Sequence, residues 1–486
     1  MLVRGETKQD NYIFISETIN NSFNFQRYSL ACSIMDVLPT PTTTATNNKL
    51  FIKQLSSSYV LYGVNLLLMV LVTPFLLDRL GAEPYGIWLL CQNIATYFNL
   101  FNLGFLSNAI AQYATNTPDN TQARNQLFST LFFSLVLFCS VSFPAYWYIH
   151  EHFDTLFKIS TVHVLMAKNV FSVVYIAFVT LFLASTFDMI LYYVLGKVIT
   201  KNLIEIIRLL VLNGGYVAII LWGGEVFHIA VFYLIIQLIV LICLYVFAKR
   251  GVKLQLSFTH FNVALFKSFF KPGFNFLLLN LANMVIFAGD NIMISALIGV
   301  EQLVLFSLSF KLSDIAIRLI NKIVDVKSPQ MIHYIKAKEY GLLKTTFNKL
   351  IYWSLGLSFI AMVLIALFGK MALNFWLGDK YLIDNTVIVL FAIFVMVNSL
   401  YYVCWIFLNL TGQHTRLSYV VFIEIGLNII LSVIWSKSFG LIGIALGTLI
   451  ASLLTSSWFA YWECKKYFKS HQANNRPLPD EQGAQT

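Results

Sequence analysis

The sequence predicts an all-α integral membrane protein with about twelve transmembrane helices, and three observations lead to this prediction. Of the 486 residues 58% are hydrophobic and only 12% are charged, whereas ordinary soluble domains carry about 25% charged residues. The mean hydropathy is +0.72. Apolar stretches of the roughly 20 residues needed to cross a bilayer recur from Phe51 to Trp462. These stretches are too long and too continuously apolar for barrel strands, so helices must satisfy the backbone groups in lipid.

The helices are predicted from these apolar stretches, and their even number places both chain termini on one side of the membrane. The predicted limits are residues 52–77, 86–112, 127–149, 162–187, 203–222, 226–248, 270–298, 303–322, 347–377, 385–410, 417–436 and 439–462. Loops on the side of the termini hold most of the basic residues, whereas the opposite loops hold little more than Arg79, Lys158, Lys380 and Lys437. Because cytoplasmic loops carry the excess of Lys and Arg, both termini are predicted to be cytoplasmic.

The net charge of +10 is explained by this topology, and no nucleic-acid partner is expected. The polar start of the chain is expected to be disordered, and both Met1 and Met35 are candidate translation starts. No cleavable signal peptide is expected, because the first spanning helix can act as its own insertion signal. The predicted order is an N-terminal extension, a first six-helix bundle, a cytoplasmic linker, a second six-helix bundle and a cytoplasmic tail, at residues 1–48, 49–248, 249–269, 270–464 and 465–486.

One predicted helix, residues 303–322, carries charged residues at membrane depth. At 100° per residue these side chains form one stripe about 80° wide, made of Lys311, Asp314, Arg318, Lys322 and Asp325. An ion at the centre of a membrane costs about 2.5–3.5 kcal/mol, so Lys311 and Asp314 are expected to face protein or a water-filled cavity. The spacings allow Asp314 to pair with Lys311 and with Arg318. Two interpretations remain open: a buried ladder of structural ion pairs, or a cationic wall that binds an anionic substrate.

A second charged stripe, also with net positive charge, lies on Lys197, Lys201, Glu205 and Arg208. The two lysines are expected at the cytoplasmic end of their helix, where long side chains reach water. Arg208 lies deeper in the predicted span. It is therefore a candidate for contact with a substrate, with a structural role as the alternative.

Two acidic residues also lie within predicted spans. Asp290 is either protonated, paired with a basic group such as Lys311, or a ligand of a coupling ion. Glu424 has the same interpretations, of which the structural one is favoured. Asn99 and Asn102 belong to a set of uncharged polar residues that either line a sugar-binding cavity or form hydrogen bonds between helices.

Several motifs of energy-using or metal-dependent proteins are absent from the sequence. There is no GxxxxGK[ST] phosphate loop, so the chain itself is not expected to be an ATP-driven pump. The six cysteines form no CxxC pair, and the histidines have no metal-ligand spacing. No cofactor and no metal are expected. Transport would therefore draw on an ion gradient, the membrane potential or the gradient of the substrate.

Two turns in the predicted halves have similar sequences, Leu80 to Glu83 and Ile298 to Glu301. Six predicted helices separate them, which indicates two halves related by an axis along the membrane normal. The alternative is that Gly and Glu are simply common in tight turns. The predicted loops on the side opposite the termini are short, which leaves no room for a catalytic domain there, and the chain is not expected to be an enzyme.

Several stretches between about Lys49 and Trp462 together resemble a known family. They are Thr73 to Trp88, Leu100 to Gly104, Asp290 to Gly299, Ser328 with Pro329, Phe375 to Gly378, and Phe439 to Thr448. In order and spacing they resemble the O-antigen flippases, the polysaccharide transport branch of the multidrug/oligosaccharidyl-lipid/polysaccharide exporter superfamily. The polar extension of residues 1–48 is not expected in that family.

The resemblance implies two six-helix bundles of a MATE-like fold around a central cavity that opens alternately to either side. It also implies an undecaprenyl-diphosphate-linked oligosaccharide as substrate, with its diphosphate near Lys311 and Arg318 and its lipid tail in the bilayer. Membrane lipids are further expected partners. H⁺ and Na⁺ are both candidates for a coupling ion, and the protein acts either alone or beside polysaccharide polymerase machinery. The implied location is the bacterial inner membrane.

Two other functions remain as alternatives. An ion-coupled multidrug or small-molecule exporter of the same superfamily would favour a net acidic cavity, which the positive stripe argues against. A membrane glycosyltransferase or polysaccharide polymerase is disfavoured by the short outer loops.

Overall fold

The computed structural model of the protein describes residues 44–98, 106, 109, 121–195, 197–269, 289–378, 384–411, 413 and 415–473. Within these ranges the chain is helical apart from short turns and linkers, and it contains no strand. The predicted all-α fold is therefore confirmed. Asn99, Asn102 and most of the predicted extension, residues 1–48, lie outside the described residues.

The first half of the chain forms one bundle. Its helices are α1 (Thr44–Leu80), α2 (Ala82–Phe98), α3 (Thr121–Glu151), α4 (Val164–Met189), α5 (Val198–Leu221) and α6 (Val226–Val252). Helix α1 packs on α5, while α4 packs on α2, α3 and α6. Aromatic side chains fill the centre, where Trp88 of α2 meets the edges of Tyr216 and Tyr233 at ring distances of 6.0 and 5.8 Å.

The second half forms a second bundle. After the helical residues 289–297 come α7 (Val300–Lys336), α8 (Tyr340–Leu377), α9 (Asn385–Leu410), α10 (Thr415–Phe439), α11 (Leu441–Leu454) and α12 (Ser456–Ala473). Helix α7 packs on α8 and α9, α10 packs on α11, and α12 packs on α9. This arrangement agrees with the two bundles expected from the sequence.

The last predicted span, residues 439–462, is divided into two helices in the structure. The break lies at Thr455, whose φ of −123° and ψ of −92° are not helical. Its hydroxyl donates to the carbonyl of Ala451 at 2.6 Å, a local bond that competes with regular helix geometry. Helix α12 then continues to Ala473, beyond the predicted start of the tail at residue 465.

Within the described residues, nine helical stretches are long and apolar enough to cross a membrane, α11 and α12 counting together as one. Helix α7 is not among them, because Lys311, Asp314 and Arg318 lie close together in its central part. The predicted spans 86–112 and 270–298 extend beyond the described residues.

The hairpin turns define two faces of the molecule. The face that we call the Gly81 face holds the turns at Gly81, Gly223, Gly299, Gly378 and Gly440, all with positive φ. The opposite face holds the positive-φ residues Lys253 and Lys338, and we call it the Lys338 face. The rule that was applied to the sequence predicts that the Lys338 face, with its basic turns, is the cytoplasmic side, and the Gly81 face is then the predicted outer side.

The two bundles are in contact near the Gly81 face. A Cβ atom added to Gly86 of α2 would lie 2.2 Å from the carbonyl oxygen of Val300 at the start of α7. The backbone N–H of Lys158 donates to the carbonyl of Ser295 at 2.9 Å. The indole N–H of Trp376 donates to the carbonyl of Val70 at 2.6 Å. These contacts hold the two bundles together on that side.

A carboxylate connects two segments of the first bundle at the Gly81 face through hydrogen bonds. Glu83, at the start of α2, accepts hydrogen bonds from the backbone N–H and the hydroxyl of Ser160 at 2.6 and 2.9 Å, and it lies 2.9 Å from Nδ1 of His163. Burial raises the pKa of Glu83, but the bonds from Ser160 and His163 outweigh it and lower the pKa below its ordinary value. The carboxylate is thus stabilised in its charged form.

Replacing Glu83 with Gln is expected to lower the unfolding temperature at pH 7, because the charged acceptor is lost. The contribution of Glu83 is present above its unfolded pKa of about 4.3 and is lost as the pH falls through its lowered folded pKa. The difference between wild type and variant in a thermal unfolding series should therefore disappear in acid. Glu151→Gln, which alters an exposed carboxylate at the end of α3, is the control. A difference as large at pH 3 as at pH 7 would contradict the assignment.

Candidate substrate and ion sites

The charged stripe of α7 forms a connected set of ion pairs. Arg318 donates through Nε to Oδ1 of Asp314 at 2.8 Å, and its Nη2 lies 2.8 Å from the same oxygen. Lys311 lies on the other side of the same carboxylate, with Nζ 3.8 Å from Oδ2. That distance exceeds a hydrogen bond, so the attraction of Lys311 is electrostatic. The pairings predicted from the helical spacing are thus present.

These three side chains are only partly buried. The exposed fractions are 29% for Lys311, 16% for Asp314 and 33% for Arg318. Opposite them, Tyr62 of α1 has its hydroxyl buried without a hydrogen-bond partner in the described chain, close enough to interact electrostatically with Arg318 and Asp314. The stripe therefore lies between the two bundles. Among the described residues, the Tyr62 hydroxyl beside it is free to form a hydrogen bond.

The packing of α7 explains why its charges face this space. Ile317 and Ile320 bury the other side of the helix against Phe394 and Val395 of α9. At the end of the stripe nearer the Lys338 face, Asp325 is 9% exposed and accepts a hydrogen bond from the Tyr402 hydroxyl at 2.7 Å. Asp325 is thus held by α9, whereas Lys311 and Arg318 keep a partly open surface.

Asp290 has a different environment. Its side chain is 5% exposed, Oδ2 accepts from the Thr448 hydroxyl at 2.6 Å, and Oδ1 accepts from the Asn428 amide at 3.3 Å. Ser432 donates to the Asn428 carbonyl oxygen at 2.9 Å. No cation pairs with Asp290 among the described residues, and Lys311 is paired with Asp314 instead. The structure thus surrounds a buried carboxylate with neutral oxygen and amide groups from α10 and α11.

A neutral hydrogen-bond network joins the two bundles beside Asp290. Asn291 donates to Asn93 of α2 at 3.2 Å, and Ser307 of α7 donates to Asn291 at 3.4 Å. Asn93 appears in the sequence among several polar residues of one predicted span, but Asn291 and Ser307 give no separate signal there. The sequence shows only that polar residues occur within apolar stretches. It does not show which of these residues form hydrogen bonds with each other.

Glu424 of α10 is the second buried acid. It is 2% exposed, and its Oε2 has no hydrogen-bond partner within the described part of the chain. The hydroxyl groups of Ser452, Thr455 and Ser456 surround its other side, where α11 ends and α12 begins. The break between these helices thus brings hydroxyl groups to a carboxylate that faces the interior of the second bundle.

Arg208 lies inside the first bundle. It is 8% exposed, and its guanidinium forms a bidentate pair with Glu205. Tyr216 and Tyr233 are close enough to interact with its charge. Lys201, on the same helix, lies 3.5 Å from Asp188. The second stripe is therefore largely neutralised by acids within its own bundle.

The structure brings some of the predicted residues together and separates others. Lys311, Asp314 and Arg318 form one site between the bundles, whereas none of the described contacts of Asp290 involves that site. Glu424 occupies a further position in the second bundle, and Arg208 is in the first. Asn428 and Thr448 complete the surroundings of Asp290 and were not among the candidates from sequence.

Comparison with known proteins agrees with this architecture. Residues 51–335, more than half of the chain, match the model of a family described as polysaccharide biosynthesis protein. None of the curated proteins compared with the chain matches it.

Solved structures of transporters have a similar fold. Lipid II flippase MurJ in an inward closed conformation gives a TM-score of 0.69 at 15% identity, over 86% of this chain and 90% of that one. An inward-facing multidrug resistance MATE family transporter of the MOP superfamily gives 0.64 at 12% identity, over 83% and 96%. A MOP superfamily transporter from Pyrococcus furiosus gives 0.53 at 13% identity, over 96% and 100%. At these identities the similarity establishes the fold.

Proposed function

Because the chain belongs to the polysaccharide biosynthesis protein family and has the fold of MOP superfamily transporters, we propose that it is a flippase for lipid-linked oligosaccharides. The substrate is an undecaprenyl-diphosphate-linked repeat unit of O-antigen or a similar surface polysaccharide. It moves by alternating access from the cytoplasmic to the periplasmic leaflet of a bacterial inner membrane. The observation that carries this proposal is the partly open, net positive stripe of α7 between the two bundles.

The stripe has the chemistry needed to hold a diphosphate. Arg318 donates one of its five N–H groups to Asp314 in a hydrogen bond, so others remain for phosphate oxygens. Lys311 is not hydrogen-bonded to Asp314 and can turn its ammonium group towards the same anion. Charge-assisted bonds from Arg and Lys are strong and suited to phosphate. Asp314 holds the two cations in place and limits the excess positive charge when no substrate is bound.

The contacts at the Gly81 face support a state that is closed on the predicted outer side. In that state the substrate enters from the cytoplasmic leaflet, and its headgroup reaches the stripe while the lipid tail stays in the bilayer. Release to the other leaflet then requires the contacts of Gly86 with Val300 and of Lys158 with Ser295 to separate. Alternating access of this kind is largely a rigid movement of one bundle against the other.

The structural similarity to a multidrug MATE transporter supports a second candidate, an ion-coupled exporter of drugs or other small molecules. A site for cationic drugs would need net negative charge, whereas the described stripe is net positive. The flippase is therefore favoured.

The sidedness of lipid-linked glycans in cells depleted of the protein tests this proposal. We expect the intermediate to accumulate on the cytoplasmic leaflet, where a membrane-impermeant glycosidase or lectin added from the periplasmic side cannot reach it. Normal delivery of all lipid-linked glycans to the outer leaflet would refute the flippase function and favour the exporter.

We further propose that Asp290 binds the coupling ion, Na⁺ or H⁺. Its carboxylate is buried without a cationic partner in the described chain, and a bare charge there is costly. The side-chain oxygens of Asn428, Thr448 and Ser432 lie in the same cluster, and Na⁺ is a hard cation that binds oxygen. Either a proton or Na⁺ would neutralise the site.

Asp290→Asn is expected to abolish the response of transport to an imposed Na⁺ or pH gradient in proteoliposomes. The variant keeps the size and most hydrogen bonds of the site but removes its charge. Asp325→Asn is the matched control, since Asp325 is bound to Tyr402 and should leave the ion response intact. An unchanged response of Asp290→Asn to both gradients would exclude Asp290 as the coupling site without affecting the proposed substrate.

A further inference from the structure

An open groove lies on the outside of the second bundle, near the Gly81 face. Its volume is about 720 Å³. The described lining comes from one side of α8 and from the first residue of α9, and it consists of Ala366, Leu367, Lys370, Met371, Asn374, Phe375 and Asn385. The spacing of these α8 residues places them on a single side of the helix.

This side of α8 is exposed along a stretch apolar enough to cross a membrane, so we expect it to face lipid. The exposed fractions are 69% for Leu367, 66% for Met371 and 93% for Phe375. The opposite side is packed, because Leu373 is fully buried and a Cβ atom on Gly369 would meet Ile388 of α9 at 2.8 Å. The groove is therefore bounded by protein on its inner wall and by hydrocarbon on its outer side.

Lys370 places a positive charge in this apolar setting. It stands seven residues before the end of α8 at Leu377, which is about 10 Å along the helix axis. Its side chain is exposed, and it has no hydrogen bond or ion pair within the described residues. Since a cation at membrane depth is unfavourable, an anion supplied by the lipid would stabilise it.

Two amide side chains complete the polar part of the groove. Asn374 follows Lys370 by one helical turn, and Asn385 contributes from the start of α9. A lysine ammonium and amide N–H groups are donors that phosphate oxygens accept. The polar residues thus match a phosphodiester, while Leu367, Met371 and Phe375 match acyl chains.

We propose that this groove binds an anionic phospholipid of the leaflet at the Gly81 face. The phosphodiester lies against Lys370, Asn374 and Asn385, and the acyl chains run along the exposed apolar residues of α8. The site is on the lipid-facing side of α8, separate from the Arg318 stripe between the bundles. It therefore stands independently of the proposed function.

Native mass spectrometry of the purified protein in detergent, with phosphatidylglycerol or phosphatidylcholine added, tests this site. Wild type is expected to retain phosphatidylglycerol in preference to phosphatidylcholine, and Lys370→Gln should reduce that retention about fivefold, as expected for one lysine near an anionic lipid. Asn374→Ala should weaken retention in the same direction. Lys437→Gln is the matched control, because Lys437 lies in the last turn of α10 at the same face.

Thermal unfolding in lipid-free detergent serves as the check on folding, and Lys370→Gln should unfold at the wild-type temperature there. Equal retention of phosphatidylglycerol by wild type and Lys370→Gln would overturn the proposal. Equal retention of the two lipids by wild type would do the same, since it would mean that the negative net charge of the lipid does not contribute to binding. Displacement of retained phosphatidylglycerol by an equal concentration of inorganic phosphate would show a phosphate site that does not require a lipid, which also contradicts the proposal.

Discussion

Arg318→Ala is expected to reduce translocation of the lipid-linked oligosaccharide by roughly 10- to 100-fold, which corresponds to the loss of one hydrogen bond to a charged group. The guanidinium is one-third exposed, and Asp314 keeps Lys311 as a nearby cation, so removing Arg318 should change stability little. The measurement is the amount of lipid-linked glycan that reaches the periplasmic leaflet, normalised to the amount of protein in the membrane.

Three further variants separate substrate binding from structure at this stripe. Arg318→Lys should recover part of the activity, because it keeps the charge but loses the planar donor geometry. Lys311→Ala should impair transport in the same direction as Arg318→Ala. Asp325→Asn, at the anchored end of the stripe, should transport normally. Loss of Arg318→Ala protein from the membrane, with normal transport per remaining molecule, would support the structural ion-pair ladder instead.

Gly86→Ala is expected to have the largest effect on the closed state of the Gly81 face. The new methyl group would lie 2.2 Å from the carbonyl oxygen of Val300, and a backbone atom cannot move aside as a flexible side chain can. Overpacking of this kind typically costs 1–3 kcal/mol. Helices α2 and α7 must therefore separate, and the population in which the bundles touch on this side should fall.

Cross-linking between cysteines introduced at Lys158 and Leu297 measures this closure, since both residues lie where the bundles meet. The yield should drop in the Gly86→Ala background. Gly356→Ala is the matched control, because a Cβ atom at Gly356 of α8 would have no neighbour within 4 Å. If the cross-linking yield in the Gly86→Ala background equals that of the wild-type background, the prediction is wrong. Close contact between α2 and α7 would then not be required for the closed state.

The two effects are connected through α7. Its first residue, Val300, forms the contact with α2 at the Gly81 face, and the same helix carries Lys311 and Arg318 further along. A movement that separates Gly86 from Val300 therefore also moves the stripe relative to Tyr62 of α1. In the proposed flippase, helix α7 would both bind the diphosphate and move when the outer side opens.

Much of the fold could be predicted from the sequence, since lipid imposes local requirements on every spanning segment. The apolar runs specify helices because no other open structure satisfies the backbone in hydrocarbon. The break at Thr455 was not predicted, because the apolar composition continues through it. Helix α7 also extends to Lys336, well beyond its predicted end at residue 322, since the helix continues past the apolar run that defined the prediction.

The candidate sites were predicted unevenly, for a physical reason. The pairing of Arg318 with Asp314 depends on a spacing of four residues along one helix, which periodicity shows directly. The partners of Asp290 are 138 and 158 residues away, and no local pattern encodes them.

Composition and periodicity thus determined the membrane class, the helices and the charged stripe. Only the tertiary packing decided that Asp290 is surrounded by neutral groups, that Arg208 is paired within its own bundle and that Lys370 lies on the exposed side of α8, because these depend on which helices become neighbours.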